Sequence, residues 1–390
     1  MPARRSATGA DRDTVGRLID RPAAREPQNP ALFDRGKTWT YGALAAESQR
    51  LAGGLKRLGF GAGDRVAFWL PNIAQYLALH IACARIGAIT VSVNTRFQAS
   101  EVGDIVERSG CRALVLWPSF KKIPFLQILE RVQSTALAQL ESIIIYADGE
   151  PLPSLPGTLA GRSFIDYQEL ASCEKFTDDD AQPENGVVVF TTSGTTAAPK
   201  FVLHSHASIT GHASDVMEFF GWCKPDTVIL QVVPLCGTFG HAQAMAGLAA
   251  GRPLVMMPVF SGPEATDLMH QHKVTHCNGS DEMFARMLDA SDAPLAFPSF
   301  QYGGYAAFNP VYQDIVARAD KRGMKLVGLW GMSEMQALYA RQDPTETVDV
   351  RHRRGGRLVS KAAKVRVRDT EQGTLLPHGE VGELEVRGPS

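Results

Sequence analysis

The chain has 390 residues, of which 44% are hydrophobic and 21% are charged, and its formal net charge at pH 7 is -1. These values are typical of a globular protein, and the length predicts two or three packed units. Because neither sign of charge dominates, the composition does not support a nucleic-acid partner. No apolar run approaches the roughly 20 residues that a membrane-spanning helix needs.

The six cysteines are scattered, without the C-x-x-C spacing or the Cys/His clusters of a zinc site. They predict free thiols in a reducing compartment. Residues 1–13 contain no apolar stretch of the kind found in a secretory signal. We therefore expect a cytoplasmic location, while the sequence leaves the oligomeric state open.

Strand and helix patterns alternate along the first stretch, 14–185. Apolar strands are expected at 64–70, 88–93, 112–117 and 142–146. Helices are expected from a Thr40 cap to Gly59, at 74–85, after a Ser100 cap, and at 124–140. The segment 149–183 is rich in Pro, Gly, Ser and Asp and predicts a linker at a subdomain boundary.

The alternation restarts over 186–344, which predicts a second α/β subdomain. Short apolar strands separated by amphipathic helices imply parallel sheets covered on both faces. The predicted fold class is therefore α/β, with two doubly wound, mostly parallel sheets and flanking helices. Its strands are expected at 187–192, 227–233, 254–257, 274–277 and 325–330, and its helices at 207–220, 240–250, 263–272, 282–290 and after an Asn309 cap.

The pattern changes in the last stretch, 345–390. Apolar and polar residues alternate over 364–368 and 383–387, which predicts antiparallel strands with one solvated face. We expect a small β-barrel-like unit to begin here.

The segment Thr191-Thr-Ser-Gly-Thr-Thr-Ala-Ala-Pro-Lys200 follows the buried strand pattern 187–190. Its five hydroxyls, together with backbone N–H groups turned by Gly194, could bind phosphate oxygens, and Lys200 adds a positive charge. The carboxyl end of a parallel strand is also where open α/β sheets bind ligands. The alternative is a polar surface loop with Ser/Thr turns, and no Walker loop is present.

This segment resembles the phosphate loop of the adenylate-forming superfamily, T-[ST]-G-T-T-G-x-P-K. That superfamily includes acyl-CoA synthetases, firefly luciferase and the adenylation domains of peptide synthetases. The chain departs from the pattern at Ala197 and Phe201. The resemblance implies that ATP phosphates contact Thr191, Thr192, Ser193, Gly194, Thr195, Thr196 and Lys200, with Thr192 and Lys200 acting in catalysis.

The segment Gly328-Leu-Trp-Gly-Met-Ser-Glu334 resembles the superfamily's Y-G-x-T-E element. The resemblance implies that Trp330 stacks on adenine and that Gly331, Met332 and Ser333 lie beside the nucleotide. It also implies that Glu334 holds Mg²⁺, which prefers hard oxygen ligands. The alternative is a strand end with a core tryptophan and a surface glutamate.

Two further segments resemble superfamily elements. Tyr302-Gly-Gly-Tyr-Ala306 is similar to the G-G-A-P turn, which implies that Gly303, Gly304 and Tyr305 lie beside adenine. Pro234-Leu-Cys-Gly-Thr-Phe-Gly240 is similar to P-L-F-H-x-x-G but lacks its histidine. The residues expected near the acid are Cys236, Gly237, His241, Gly279 and Tyr302.

The resemblance implies the ATP- and acid-binding N-terminal domain of an acyl-CoA synthetase, an AMP-forming acid–thiol ligase. Its expected partners are a carboxylic acid, ATP with Mg²⁺, and coenzyme A. Two alternatives remain open: transfer to a carrier-protein thiol, and a catalytically impaired nucleotide-binding module, which Ala197, Phe201 and Gly237 favour.

The superfamily continues beyond Ser390 with an aspartate that holds ribose and a mobile C-terminal domain that carries a catalytic lysine. We therefore expect a truncated form with little complete activity alone. The sequence leaves the identity of the acid open.

Overall fold

The computed structural model describes residues 13–154, 157–192, 200–293 and 295–389, and in these ranges strands alternate with helices. The strands are β1 Pro30–Asp34, β2 Lys37–Thr40, β3 Arg65–Trp69, β4 Ile89–Ser92, β5 Ala113–Leu116, β6 Ser142–Ile145, β7 Ser163–Asp166, β8 Gly186–Thr192, β9 Lys200–Ser205, β10 Ile229–Gln231, β11 Leu254–Met256, β12 His276–Ser280, β13 Tyr302–Ala306, β14 Leu326–Trp330, β15 Ala340–Arg341, β16 Arg357–Leu358, β17 Lys364–Arg368 and β18 Glu383–Arg387. The helices are α1 Asp20–Arg25, α2 Tyr41–Arg57, α3 Ala74–Arg85, α4 Ala99–Ser109, α5 Phe125–Glu130, α6 Tyr167–Ala171, α7 His206–Phe219, α8 Thr238–Ala249, α9 Gly262–Gln271, α10 Asp281–Asp289, α11 Ile315–Asp320 and α12 Val348–Arg351.

Two large sheets organise the described ranges. The seven-stranded sheet has the order β7-β6-β5-β3-β4-β8-β9, and its strands are parallel except for β9. The nine-stranded sheet has the order β16-β15-β14-β13-β12-β10-β11-β1-β2, with a parallel centre and antiparallel edges. The prediction of two largely parallel sheets with flanking helices is confirmed.

Helices cover both faces of each sheet, because successive strand residues face opposite sides. In β3, Val66 and Phe68 enter a core shared with α2, α3, α7 and α8. Ala67 and Trp69 enter a second core with α4 and α5. A third core lies between the nine-stranded sheet and α9, α10 and α11. The central helices therefore pack between the two sheets, with further helices outside each sheet.

Each large sheet contains strands from both sides of residue 185, the predicted subdomain boundary. Strands β1 and β2, from the first predicted subdomain, belong to the nine-stranded sheet, and β8 and β9, from the second, belong to the seven-stranded sheet. The predicted linker 149–183 also contributes β7, which pairs in parallel with β6. The chain therefore passes between the sheets more than once.

Three predicted elements are wrong in detail. Helix α5 ends at Glu130, and residues 131–139 form turns closed by i→i+3 backbone bonds instead of continuing the helix. Helix α4 begins after a Gln98 cap rather than a Ser100 cap, since the Glu101 carboxylate accepts the Gln98 backbone N–H. The predicted Gly-Gly turn lies within β13.

The predicted antiparallel strands near the C-terminus are confirmed as β17 and β18. The described residues there form a two-stranded sheet, so the barrel-like unit that we expect to begin here is not confirmed. Two strands cannot close a barrel, and Val365 and Leu384 remain exposed on this sheet.

Candidate functional site

A cavity of about 290 Å³ opens at the carboxyl ends of β13 and β14, against the first turn of α8. This is the sheet edge at which parallel α/β proteins bind ligands, and the volume suits a small ring or chain. The lining is mostly apolar, with two hydroxyls and one charged side chain among the described residues. It consists of Thr238, Phe239, Ala306, Ala307, Phe308, Leu329, Trp330, Gly331, Met332, Ser333, Ala337, Leu338 and Arg354.

The segment 330–338, which we call the site loop, forms one wall of the cavity. Trp330 ends β14, and its ring meets Tyr339 edge-on at 5.7 Å between centroids. Ser333 and Glu334 lie in a single turn of 3₁₀ helix. The Ser333 hydroxyl lies 3.4 Å from that of Thr238, the first residue of α8. The structure therefore brings Trp330, Gly331, Met332 and Ser333 together at one cavity.

Glu334 is exposed beside this cavity, and no described residue forms a salt bridge or hydrogen bond with its carboxylate. The described ranges contain no cluster of three or more His, Cys, Asp or Glu residues that could hold a metal. A single carboxylate beside hydroxyls fits Mg²⁺, which commonly takes one or two protein carboxylates and completes its shell with water and phosphate oxygens. One carboxylate beside hydroxyls is therefore better suited to a Mg²⁺ ion that arrives bound to ATP than to a metal ion that the protein holds by itself.

The site loop carries backbone strain. Gln336 has φ 60° and ψ 156°, and Leu338 has φ 64°. Such conformations cost a non-glycine residue on the order of 1–3 kcal/mol and persist only where neighbouring groups hold them. Those groups are His204, which binds the Ser333 carbonyl at 2.8 Å, and His212, which binds the Ala337 carbonyl at 2.7 Å. The Gln336 side chain adds a bond to the Ser208 carbonyl at 2.9 Å.

The predicted phosphate loop joins the paired ends of β8 and β9. Thr192 lies opposite Lys200, and Thr191 opposite Phe201. Lys200 is exposed, and the guanidinium of Arg108 in α4 lies 4.3 Å from the centre of the Phe201 ring. Ser193, Gly194, Thr195, Thr196 and Ala197 lie outside the described residues.

The glycines of β13 pack closely against their neighbours. A Cβ on Gly303 would lie 2.7 Å from the Cys277 carbonyl oxygen, and one on Gly304 would lie 2.5 Å from Asn278 Oδ1. Tyr305 turns away from the cavity and donates its hydroxyl to the His352 carbonyl oxygen at 2.6 Å. The three positions predicted to lie beside adenine therefore do not line the cavity, which β13 reaches at Ala306.

The predicted acid-binding residues are dispersed. Tyr302 begins β13, at the strand end away from the cavity, and donates to the Phe220 carbonyl at 2.6 Å. Gly279 lies near the end of β12 and packs against Phe284. Cys236 and Gly237 directly precede cavity-lining Thr238, and burial raises the pKa of the Cys236 thiol to about 12.

His241 lies in the core rather than in the cavity lining. Its Nε2 atom is 3.0 Å from Nε2 of His80, and both rings are essentially inaccessible to solvent. Burial lowers the pKa of His80 to about 3 and holds that of His241 well below its usual range, with the neighbouring imidazole adding to the shift. This geometry gives His241 a packing role and does not place it beside the acid.

The fold and this set of motifs agree with comparisons to known proteins. The family model described as AMP-binding enzyme matches residues 19–390. The chain belongs to the AMP-binding enzyme family. The resemblance to the adenylate-forming superfamily is thereby confirmed.

Relatives include ligases with two kinds of acceptor. The medium-chain acyl-CoA ligase ACSF2 of Homo sapiens, named as mitochondrial, is 28% identical over 96% of this chain and 64% of its own length. The fatty acid–[acyl-carrier-protein] ligase ScoC of Streptomyces coeruleorubidus is 27% identical over 94% of this chain and 67% of its own. The chain thus spans about two thirds of the length of these relatives.

Solved structures show the same fold. A long-chain-fatty-acid-CoA ligase, FadD1 from Archaeoglobus fulgidus, superposes with a TM-score of 0.82 at 19% identity, covering 100% of this chain and 77% of its own. An o-succinylbenzoate CoA synthetase from Bacillus subtilis, bound to its acyl-adenylate, superposes with a TM-score of 0.77 at 21% identity, covering 95% and 88%.

The described helices include none that is long and apolar enough to cross a membrane. The cytoplasmic location stays a prediction, since ACSF2 is named as mitochondrial.

Several residues of the site escaped sequence reasoning. Arg354 lines the cavity, whereas its sequence shows only that the segment 353–358 resembles a late superfamily segment and predicts no site role for it. Phe308 lines the cavity with 74% of its surface exposed. The contacts of His204 and His212 leave no signal in the sequence, because their partners are more than 100 residues away in the chain.

Proposed function

We propose that this chain is the ATP- and acid-binding part of an acid–thiol ligase that forms acyl-AMP and passes the acyl group to coenzyme A. The observation that carries the proposal is the convergence of three motifs on one cavity: the site loop, the end of β13 and the start of α8. The relatives that are ligases for medium-chain and fatty acids support the same chemistry.

In the first step, a carboxylate oxygen of the acid attacks the α-phosphorus of ATP, and pyrophosphate leaves. Little proton transfer is needed, so catalysis depends on positioning and on neutralising phosphate charge. Hydroxyls of Thr192 and Ser333 and the ammonium of Lys200 would contact phosphate oxygens, and Glu334 would hold Mg²⁺. When bound, Mg²⁺ supplies positive charge to the phosphate oxygens.

In the second step, a thiolate attacks the acyl carbon, the acyl–phosphate bond breaks, and AMP leaves. AMP is a far better leaving group than the oxide or hydroxide ion that an unactivated acid would have to expel. The apolar side chains of Phe239, Leu329 and Leu338 line the cavity and favour an apolar acyl group. The ring of Trp330, in the same lining, offers adenine an aromatic surface for stacking.

Mass spectrometry can test the first step directly. The purified chain is incubated with Mg²⁺, ATP and either octanoate, benzoate or acetate, and acyl-AMP is sought. Acid-dependent acyl-AMP supports the proposal, whereas bound nucleotide without acyl-AMP supports the impaired binding module favoured by Ala197, Phe201 and Gly237.

A carrier-protein thiol is the second candidate acceptor, because ScoC uses an acyl-carrier protein. Adding coenzyme A or a phosphopantetheinylated carrier protein to preformed acyl-AMP separates the two. The proposal requires that any thioester formed from acyl-AMP appear with coenzyme A rather than with the carrier protein.

A further inference from the structure

We propose that His204 and His212 are positioning residues that fix the site loop so that Ser333 and Glu334 can bind Mg²⁺ and ATP. This inference rests on the proposed function, because it assigns nucleotide and metal to the same loop. It goes further in naming two imidazoles, remote in sequence from the loop, on which Mg²⁺-dependent binding depends.

The two histidines hold the loop from a different part of the fold. His204 belongs to β9, in the seven-stranded sheet, and His212 to α7, whereas the loop follows β14 of the nine-stranded sheet. Their bonds reach the carbonyl oxygens of Ser333 and Ala337, on either side of the strained Gln336. The loop is therefore held at both ends of its irregular part.

Both imidazoles act as hydrogen-bond donors. A backbone carbonyl only accepts, so each ring must carry its proton on Nε2. His204 and His212 are 4% and 2% exposed, so water cannot readily replace them at these carbonyls. Removing His212 would take away the described partner of the Ala337 carbonyl, and removing His204 would leave the Ser333 carbonyl with only the Gln336 N–H, at 3.4 Å.

Glu334 lies close enough to His204 for its charge to act on the imidazole, raising the pKa that burial lowers. The loop also folds tightly on itself, since a Cβ on Gly331 would lie 2.8 Å from the Ala337 Cα. A shift of the backbone at Ser333 or Ala337 would therefore be transmitted to the neighbouring carboxylate.

The test measures ATP binding to the purified chain by titration calorimetry at a series of Mg²⁺ concentrations. His204→Leu and His212→Leu remove the donors, and His204→Gln and His212→Gln keep an amide N–H at the same reach. We expect each leucine variant to need roughly fivefold more Mg²⁺ for half-maximal ATP affinity, the effect of about one net hydrogen bond. The glutamine variants should lie within about twofold of the parent protein.

His270→Leu is the matched control. His270 makes the same kind of bond, from Nε2 to the Ala296 carbonyl at 2.7 Å, but in α9, away from the site loop. Because His270, unlike His204 and His212, is exposed, this variant should change thermal stability little and leave the Mg²⁺ dependence unchanged. If a leucine variant does not fold, Gln336→Met takes its place, because it removes the third bond that holds the loop, the one to Ser208.

The outcomes separate this inference from the function on which it rests. A parent protein that binds no ATP at any Mg²⁺ concentration overturns the proposed function and this inference with it. A parent protein that binds ATP, with leucine variants that melt earlier but keep its Mg²⁺ dependence, overturns the positioning role alone.

Discussion

The Nε2 atoms of His80 and His241 lie 3.0 Å apart in the core between the two sheets. One ring donates the proton that the other accepts, so the accepting imidazole is neutral. Burial lowers the pKa of both rings and so favours the neutral form of each. Nδ1 of His80 lies 2.9 Å from the Thr90 hydroxyl, which extends the buried polar chain. Such a pair stabilises the fold only while neither imidazole is protonated.

The first prediction is that stability falls as pH drops below about 6.5. Burial lowers the folded-state pKa of His80 from 6.5 to about 3, so below pH 6.5 the unfolded chain takes up protons that the folded chain does not. Each such histidine lowers the free energy of unfolding by up to about 1.4 kcal/mol per pH unit. Urea unfolding at pH 5, 6 and 7 measures this slope.

In His241→Gln the glutamine amide can still form a hydrogen bond with His80, but one titrating ring is lost. We therefore expect the free energy of unfolding to fall less steeply with decreasing pH. His378→Gln, at an exposed histidine, is the control and should keep the parent slope. A slope unchanged by His241→Gln would show that this pair does not govern acid sensitivity.

The second prediction concerns Glu334. Because its side chain is exposed, Glu334→Gln should leave the melting temperature unchanged. It should nevertheless lower acyl-AMP formation by roughly 100-fold or more, since an amide is a much poorer Mg²⁺ ligand than a carboxylate. Glu346→Gln, at another exposed glutamate, is the matched control, and equal rates for the two variants would rule out the metal-binding role.

The third prediction concerns the close packing of β13. A Cβ on Gly304 would meet Asn278 Oδ1 at 2.5 Å and cavity-lining Leu329 at 2.7 Å. Gly304→Ala should therefore lower the free energy of unfolding by about 1–3 kcal/mol and weaken ligand binding.

The control for Gly304→Ala is Gly211→Ala, in α7, where no described atom beyond its chain neighbours and the adjoining helix backbone lies within 4 Å of the added Cβ. It should raise stability by about 0.5–1 kcal/mol, because alanine favours a helix interior. Loss of stability in both variants would point to a general intolerance of alanine instead of the β13 contacts.

The fourth prediction concerns the acid. Gly237 stands where the superfamily often has histidine, and a Cβ there would approach only the Pro234 carbonyl, at 3.7 Å. The open space should favour a medium-chain, long-chain or ring acid over acetate, since each methylene that enters contributes about 1–3 kcal/mol. Gly237→His should shift the preference towards shorter acids. A profile that peaks at acetate in the parent chain would contradict this.

The local elements of the fold were largely predictable from sequence. Helix α3 has the predicted bounds, because an apolar face ends at Gly87, whose φ is 74°. The assignment of strands to sheets was not predictable, since β5 and β11 are both short, fully buried apolar strands but belong to different sheets. Strand β13 was missed because its two glycines lack the side chains by which strands are recognised.

The candidate site was also only partly predictable from the sequence. The order of motifs identified Trp330, Ser333 and Glu334, because each motif is continuous in sequence. The contacts of His204 and His212 could not be predicted, since each depends on the packing of β9 or α7 against a distant loop. Tyr302 was expected beside the acid, but it begins the strand whose other end reaches the cavity.

The most direct measurement of the central claim is acid-dependent exchange of label between pyrophosphate and ATP, catalysed by the purified chain. The reverse of adenylation re-forms ATP from acyl-AMP and labelled pyrophosphate, so exchange requires the first step alone. Our account predicts exchange that depends on Mg²⁺ and on a medium-chain, long-chain or ring carboxylic acid, and that Glu334→Gln largely abolishes. Tight ATP binding without exchange for any acid in a broad panel would contradict it.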